Sequence, residues 1–165
     1  MNTAKFGFAV AGLAIGLSAP GLFIVAPTGE RAADRSRTVV EAPSDSARLQ
    51  GTWSMISGAA GGYTLQSEYL NSMKRVFFGS EVIVTMGEQV FFRATIQLDT
   101  THSPRTIDYH MTGGPTAGQV QLGIYAISGD TARFCFGAPS AERPADFTTI
   151  AGDGRTLSAW VRVRP

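Results

Sequence analysis

From residue 51 onward the chain runs in short stretches where apolar and polar residues alternate, separated by turn-forming clusters. An alternation of period two puts successive side chains on opposite faces of a strand. In 51–57, Trp53 and Met55 share one face, and Thr52, Ser54 and Ile56 the other. Residues 58–62 (Gly-Ala-Ala-Gly-Gly) break the run. Leu65, Tyr69, Leu70 and Met73 then fall at helical spacing and predict one short helix, suited to closing one end of a barrel. Strands follow at 75–78 and 81–86, with Gly87-Glu88 as a tight hairpin turn. The longest strand, 89–99, sets Val90, Phe92, Ala94, Ile96 and Leu98 on one face. Strand 105–111 opposes Ile107, Tyr109 and Met111 to Thr106, Asp108 and His110. Strand 119–128 places Val120, Leu122, Ile124 and Ala126 together, and 131–136 places Ala132, Phe134 and Phe136 together. A long loop over 137–153, with Pro139 and Pro144, leads to a last strand at 155–164. There Leu157, Ala159, Val161 and Val163 are expected inside, and Thr156, Ser158, Trp160 and Arg162 outside.

These runs predict an all-β fold of eight strands joined mainly by hairpin-scale turns. An eight-stranded up-and-down antiparallel barrel accommodates them and removes the unpaired edges. A barrel of that size is either filled by side chains or holds one small ligand. Trp53, Met55, Phe92, Tyr109, Ile124 and Phe134 are the candidate ligand-binding residues, with Val90 and Leu122 on the same inward faces. The same alternation serves a hollow and a filled barrel, and short strands favour filling.

The N-terminal pattern differs. Lys5 precedes an uncharged run over 6–29. Its 6–17 portion has the form of a signal-peptide core. Leu17-Ser18-Ala19 and Ile24-Val25-Ala26 are the nearest small-residue endings, each followed by a proline. The alternative is an uncleaved membrane anchor, since about 20 apolar residues span a bilayer. Arg31, Arg35 and Arg37 after the run pull the orientation the other way. Export is nevertheless expected, to a periplasmic or extracellular site, because an apolar core at the extreme N-terminus is more often a signal. Residues 30–48 are polar, mixed in charge and without sustained periodicity, and are read as a disordered tether. Asp45 or Ser46 is a weak cap for one helical turn leading into Leu49. The barrel domain is expected over 49–165.

Composition changes this picture little. Fourteen basic and 13 acidic residues leave a net charge of +1, which argues against a nucleic-acid partner. One cysteine, Cys135, excludes an internal disulfide, so stability rests on the core. A monomer is expected.

The ordered set Leu49-Gln50-Gly51-Thr52-Trp53, Leu122-Gly123-Ile124-Tyr125, Gly129-Asp130-Thr131, Phe134-Cys135-Phe136 and Arg143-Pro144-Ala145-Asp146-Phe147 resembles the lipocalin-like domain family found in planctomycete bacteria. The likeness covers Leu49 to about Val163. It departs at 58–62, where a polar turn is usual, and at Ser-Ala-Glu over 140–142. The resemblance implies a lipocalin-like barrel that is exported, and it assigns no activity. It also implies that Trp53 packs across the barrel floor beneath an arginine of the last strand, Arg162 or Arg164.

Chemistry-bearing motifs are sparse. Cys135, between Phe134 and Phe136, reads as a packed strand cysteine, since a catalytic thiol needs a base beside it and neither His102 nor His110 is placed there. His102, Asp108 and His110 do not form a ligand set of familiar spacing, so no metal and no cofactor is expected. With no nucleophile–base pair or nucleotide motif, an enzyme ranks last. Two functions are left. One is an exported barrel that binds a small apolar ligand. The other is a filled structural or interaction module of the cell envelope, contacting partners through the loops at 112–118 and 137–153.

Overall fold

The computed structural model describes residues 42–164. The signal or anchor reading of 1–29 and most of the tether lie outside these residues. Helix α1 (Asp45–Leu49) leads into β1 (Gly51–Ala60) and the two-residue β2 (Tyr63–Thr64), followed by helix α2 (Ser67–Ser72). Seven strands complete the chain: β3 (Met73–Phe78), β4 (Glu81–Met86), β5 (Gln89–Asp99), β6 (Arg105–Gly113), β7 (Val120–Ser128), β8 (Thr131–Phe136) and β9 (Thr156–Arg162).

The sheet has nine strands in the order β2-β1-β3-β4-β5-β6-β7-β8-β9, and a β1–β9 pairing closes it. The β2 spur pairs only with the end of β1, so eight strands form the closed wall. Every neighbouring pair is antiparallel. The fold is therefore the all-β, lipocalin-like up-and-down barrel that the strand pattern predicts. All eight strands fall where the alternation places them, except that β1 runs on to Ala60 through the first part of the break expected at 58–62.

The start of the ordered chain differs from the expectation. Residues 45–48, assigned to the tether, form α1, whose first turn is capped by Ser44 rather than Asp45 or Ser46. The Ser44 hydroxyl accepts from the Ala47 amide at 3.3 Å. Asp45 is free to do something else. Its buried carboxylate accepts from Arg48 at 3.1 Å, Arg105 at 2.6 Å and the Tyr125 hydroxyl at 2.8 Å. These bonds fasten α1 across the barrel end formed by β6 and β7.

The other lock at this end is built on Gly51-x-Trp53. Gly51 takes φ +102°, a left-handed conformation that side chains disfavour. Trp53 is wholly buried, and its indole N–H donates to the Leu49 carbonyl at 2.8 Å. Arg162 lies over its ring at 4.3 Å and donates to the carbonyls of Arg48 and Gln50. Arg162 is one of the two arginines that the resemblance pointed to. Phe77, Val82, Tyr125 and Phe134, all nearly inaccessible, fill the barrel above this floor.

Bulges in β1 and β5 re-aim side chains. In β1, Met55 pairs with Trp160 and Ser57 with Ala159, so Ile56 is an extra residue. In β5, Val84 pairs with Phe92 but Thr85 with Val90, so Phe91 is extra. This second bulge leaves Val90, expected inside, 46% exposed.

On β7 and β9 the inward faces are the reverse of the expectation. Tyr109 pairs with Gln121 and Ile107 with Gly123, which puts Gln121, Gly123 and Tyr125 inside and Leu122 and Ile124 outside. Phe134 pairs with Ser158 and Ala132 with Trp160, so Ser158 and the fully buried Trp160 face inward. On β7 the cause is a second, outer layer. The 137–155 segment folds back over β6, β7 and β8. The Gly137 amide donates to Leu122, Ser140 to Val120, and Arg143 to the Gly123 carbonyl at 2.7 Å. Beneath it Ile124 and Cys135, paired with each other, are each almost wholly buried. Apolar residues on both faces erase the signal that would tell inside from outside.

Candidate functional site

The end of the barrel opposite Trp53 is not filled. A cavity of about 520 Å³ lies there, a size in the range of pockets that take small molecules. Its wall comes from the mouth ends of the strands, from α2 and from the loop after β6. Nearly all of it is apolar. Met55, Met73, Met86 and Met111 line it, and methionine adapts its shape to irregular ligands. Tyr69 on α2 and Phe91 in the β5 bulge sit at the mouth, each about half exposed. The predicted helix over 65–73 thus forms as α2 (Ser67–Ser72) and borders the opening.

The cavity floor is an aromatic layer. Tyr109 packs on Phe136 at 4.3 Å between ring centres, and Phe134 stacks with Phe136 at 6.3 Å. Phe92 joins Tyr109 at 5.8 Å.

One charged side chain enters this apolar space. Arg75 faces inward from β3, between Met73 and Phe77, and is 4% exposed. Its guanidinium carbon lies 4.3 Å from the ring centres of both Phe134 and Trp160. These cation–π contacts return part of the lost hydration. They leave its donors unused: Nε and Nη1 are buried without a hydrogen-bond partner. The Tyr109 hydroxyl, on the same cavity wall, is also buried without a partner. Burial lowers the Arg75 pKa, opposed by Tyr109, and burial raises the Tyr109 pKa, opposed by Arg75. An arginine stays protonated in proteins, and a tyrosine pushed upward stays a neutral donor. Among the described residues the cavity wall carries no carboxylate.

Of the six ligand-binding candidates, Met55, Phe92 and Tyr109 line the cavity. Phe134 faces inward but lies beneath Arg75, and Trp53 belongs to the filled floor. Ile124 is a correction: it faces outward under the 137–155 layer, because β7 presents Gly123 and Tyr125 inward. Arg75 and Trp160 are the site residues that the alternation did not reveal. A charged residue at an inward position was the available signal, in the short run Met73–Phe78.

The other candidates do not assemble. Asp108 pairs with Arg143 at 2.6 Å, and His102 with Asp99 at 3.1 Å. His110 is exposed on its strand. Among the described residues no three metal-ligating side chains converge. Cys135 is buried, its thiol 3.6 Å from the Thr148 carbonyl, and burial raises its pKa away from the reactive thiolate.

Comparisons of the chain with family models, curated proteins and solved structures return no match.

Proposed function

We propose that this protein is a carrier or binding module that takes a small apolar molecule into the α2 end of its barrel. The single observation that carries the reading is the 520 Å³ methionine- and aromatic-lined cavity, open beside α2 and closed below by the aromatic layer. A filled structural module would bury these side chains against one another. Here only the Trp53 half of the barrel is packed in that way. In keeping with the apolar N-terminal run and the resemblance to exported planctomycete lipocalin-like domains, the protein would act outside the cytoplasm as a non-enzymatic monomer.

Titration with the neutral fluorophore N-phenyl-1-naphthylamine tests this. Uptake is expected to saturate at one probe per chain with a blue-shifted emission. The N-terminal apolar run could take up the probe too, so Met55→Trp, which fills the cavity, serves as the control. Loss of the signal in that variant supports the reading. An unchanged signal, or none in the parent protein, supports the filled-barrel module.

A further inference from the structure

We infer that the ligand is a monoanionic amphiphile, a carboxylate on an apolar tail, whose head docks between Arg75 and Tyr109 while its tail runs along the methionine wall toward α2. This rests on the binding reading above and names the class of ligand.

A buried charge without a hydrogen-bonding partner is among the least favourable features a fold can carry. Arg75 is such a charge, and the carboxylates that neutralise arginines elsewhere in the barrel pair with other arginines. Asp45 serves Arg48 and Arg105, Asp108 serves Arg143, and Asp130 serves Arg162 and Arg164. Its ring neighbours stabilise the cation but accept no N–H bond in the plane of the guanidinium. A carboxylate supplies what is missing. It brings one negative charge for one positive charge, and acceptor oxygens for the Arg75 N–H groups and the Tyr109 hydroxyl. Arginine matches carboxylate geometry in a bidentate way. A neutral head would leave the positive charge unbalanced, and a dianionic head would bring a second charge with no cation to meet it. The rest of the wall is apolar, and the exposed rings of Tyr69 and Phe91 mark the side by which a tail would enter or leave.

The test compares dodecanoate with 1-dodecanol, equal in tail and different in head, by displacement of N-phenyl-1-naphthylamine from the full chain at pH 7.5. Dodecanoate is expected to bind about 10- to 100-fold more tightly, as charge-assisted hydrogen bonds inside a protein imply. Arg75→Met should erase that preference while dodecanol binding persists. Tyr109→Phe removes only an unpaired hydroxyl, so it keeps the fold, and it should weaken dodecanoate about tenfold, more than it weakens dodecanol. Equal affinities for the two ligands in the parent protein overturn the head-group assignment and leave apolar binding standing. So does a preference for dodecanoate that survives in both variants. Failure of the parent protein to bind either ligand overturns the binding reading itself.

Discussion

The guanidinium of Arg162 lies 4.3 Å from the ring centre of Trp53, across the β1–β9 seam that closes the barrel. Because the same group also holds the Arg48 and Gln50 carbonyls, one side chain joins α1, β1 and β9. Trp53→Ala should therefore cost about 3–5 kcal/mol, the usual loss for a buried tryptophan. Arg162→Met should cost about 2–3 kcal/mol through its charge-assisted bonds. Urea unfolding checks both, and midpoints equal to the parent's would remove the floor from this account.

At the same end, Asp45 collects three donors on one buried carboxylate. Asp45→Asn should destabilise the protein by about 2–3 kcal/mol, since Arg105 and Tyr125 lose a charged acceptor. Tyr125→Phe should cost less in the Asp45→Asn background than alone, because the two groups share one bond. A double-mutant cycle in urea measures that coupling, and strict additivity would show α1 to be held by other contacts.

The tyrosines set the alkaline limit. Burial, and for Tyr125 also the bond to Asp45, raises both phenol pKa values above the ordinary value of about 10. The unfolded chain then loses these protons first as pH rises. Their contribution is fully present below about pH 10 and is lost above it. Stability measured from pH 9 to 11.5 should fall, and Tyr125→Phe should flatten the fall. A slope unaffected by that substitution would contradict the assignment.

Gly123 has a packing role. A Cβ there would meet the Phe136 ring at 2.4 Å and the Cys135 carbonyl at 2.9 Å. Gly123→Ala should cost about 1–3 kcal/mol by overpacking. It should also push Phe136 toward the cavity and weaken probe uptake. Thermal unfolding and a probe titration on the same variant check the two effects together.

The strands were legible in the sequence because each alternates over its own length and ends at a turn signal such as Gly87-Glu88 or Gly129-Asp130. Trp53 was legible for the same reason, together with the resemblance. What alternation could not supply is which face points in when both are apolar. Ile124 and Leu122 read as core because the 137–155 segment covers them from outside, and no local pattern announces a cover that arrives from a distant loop. Trp160 stands opposite Leu157 and Val161, and the apolar majority of the strand places it outside. Arg75 is not legible in the alternation because an inward arginine contradicts the rule that identifies inward faces. The position that breaks the pattern is the one with unsatisfied chemistry.

Uptake of an apolar molecule by the methionine-lined cavity can be read at the methionines themselves. Four of the five methionines, Met55, Met73, Met86 and Met111, line that cavity, and the fifth is Met1 in the N-terminal segment. Carbon-13 labelling of the methionine methyl groups, followed by NMR during titration with 1-dodecanol, reads the cavity directly. The four cavity signals should shift together and saturate while the Met1 signal stays in place. Stationary cavity signals, or a shift confined to Met1, would contradict uptake.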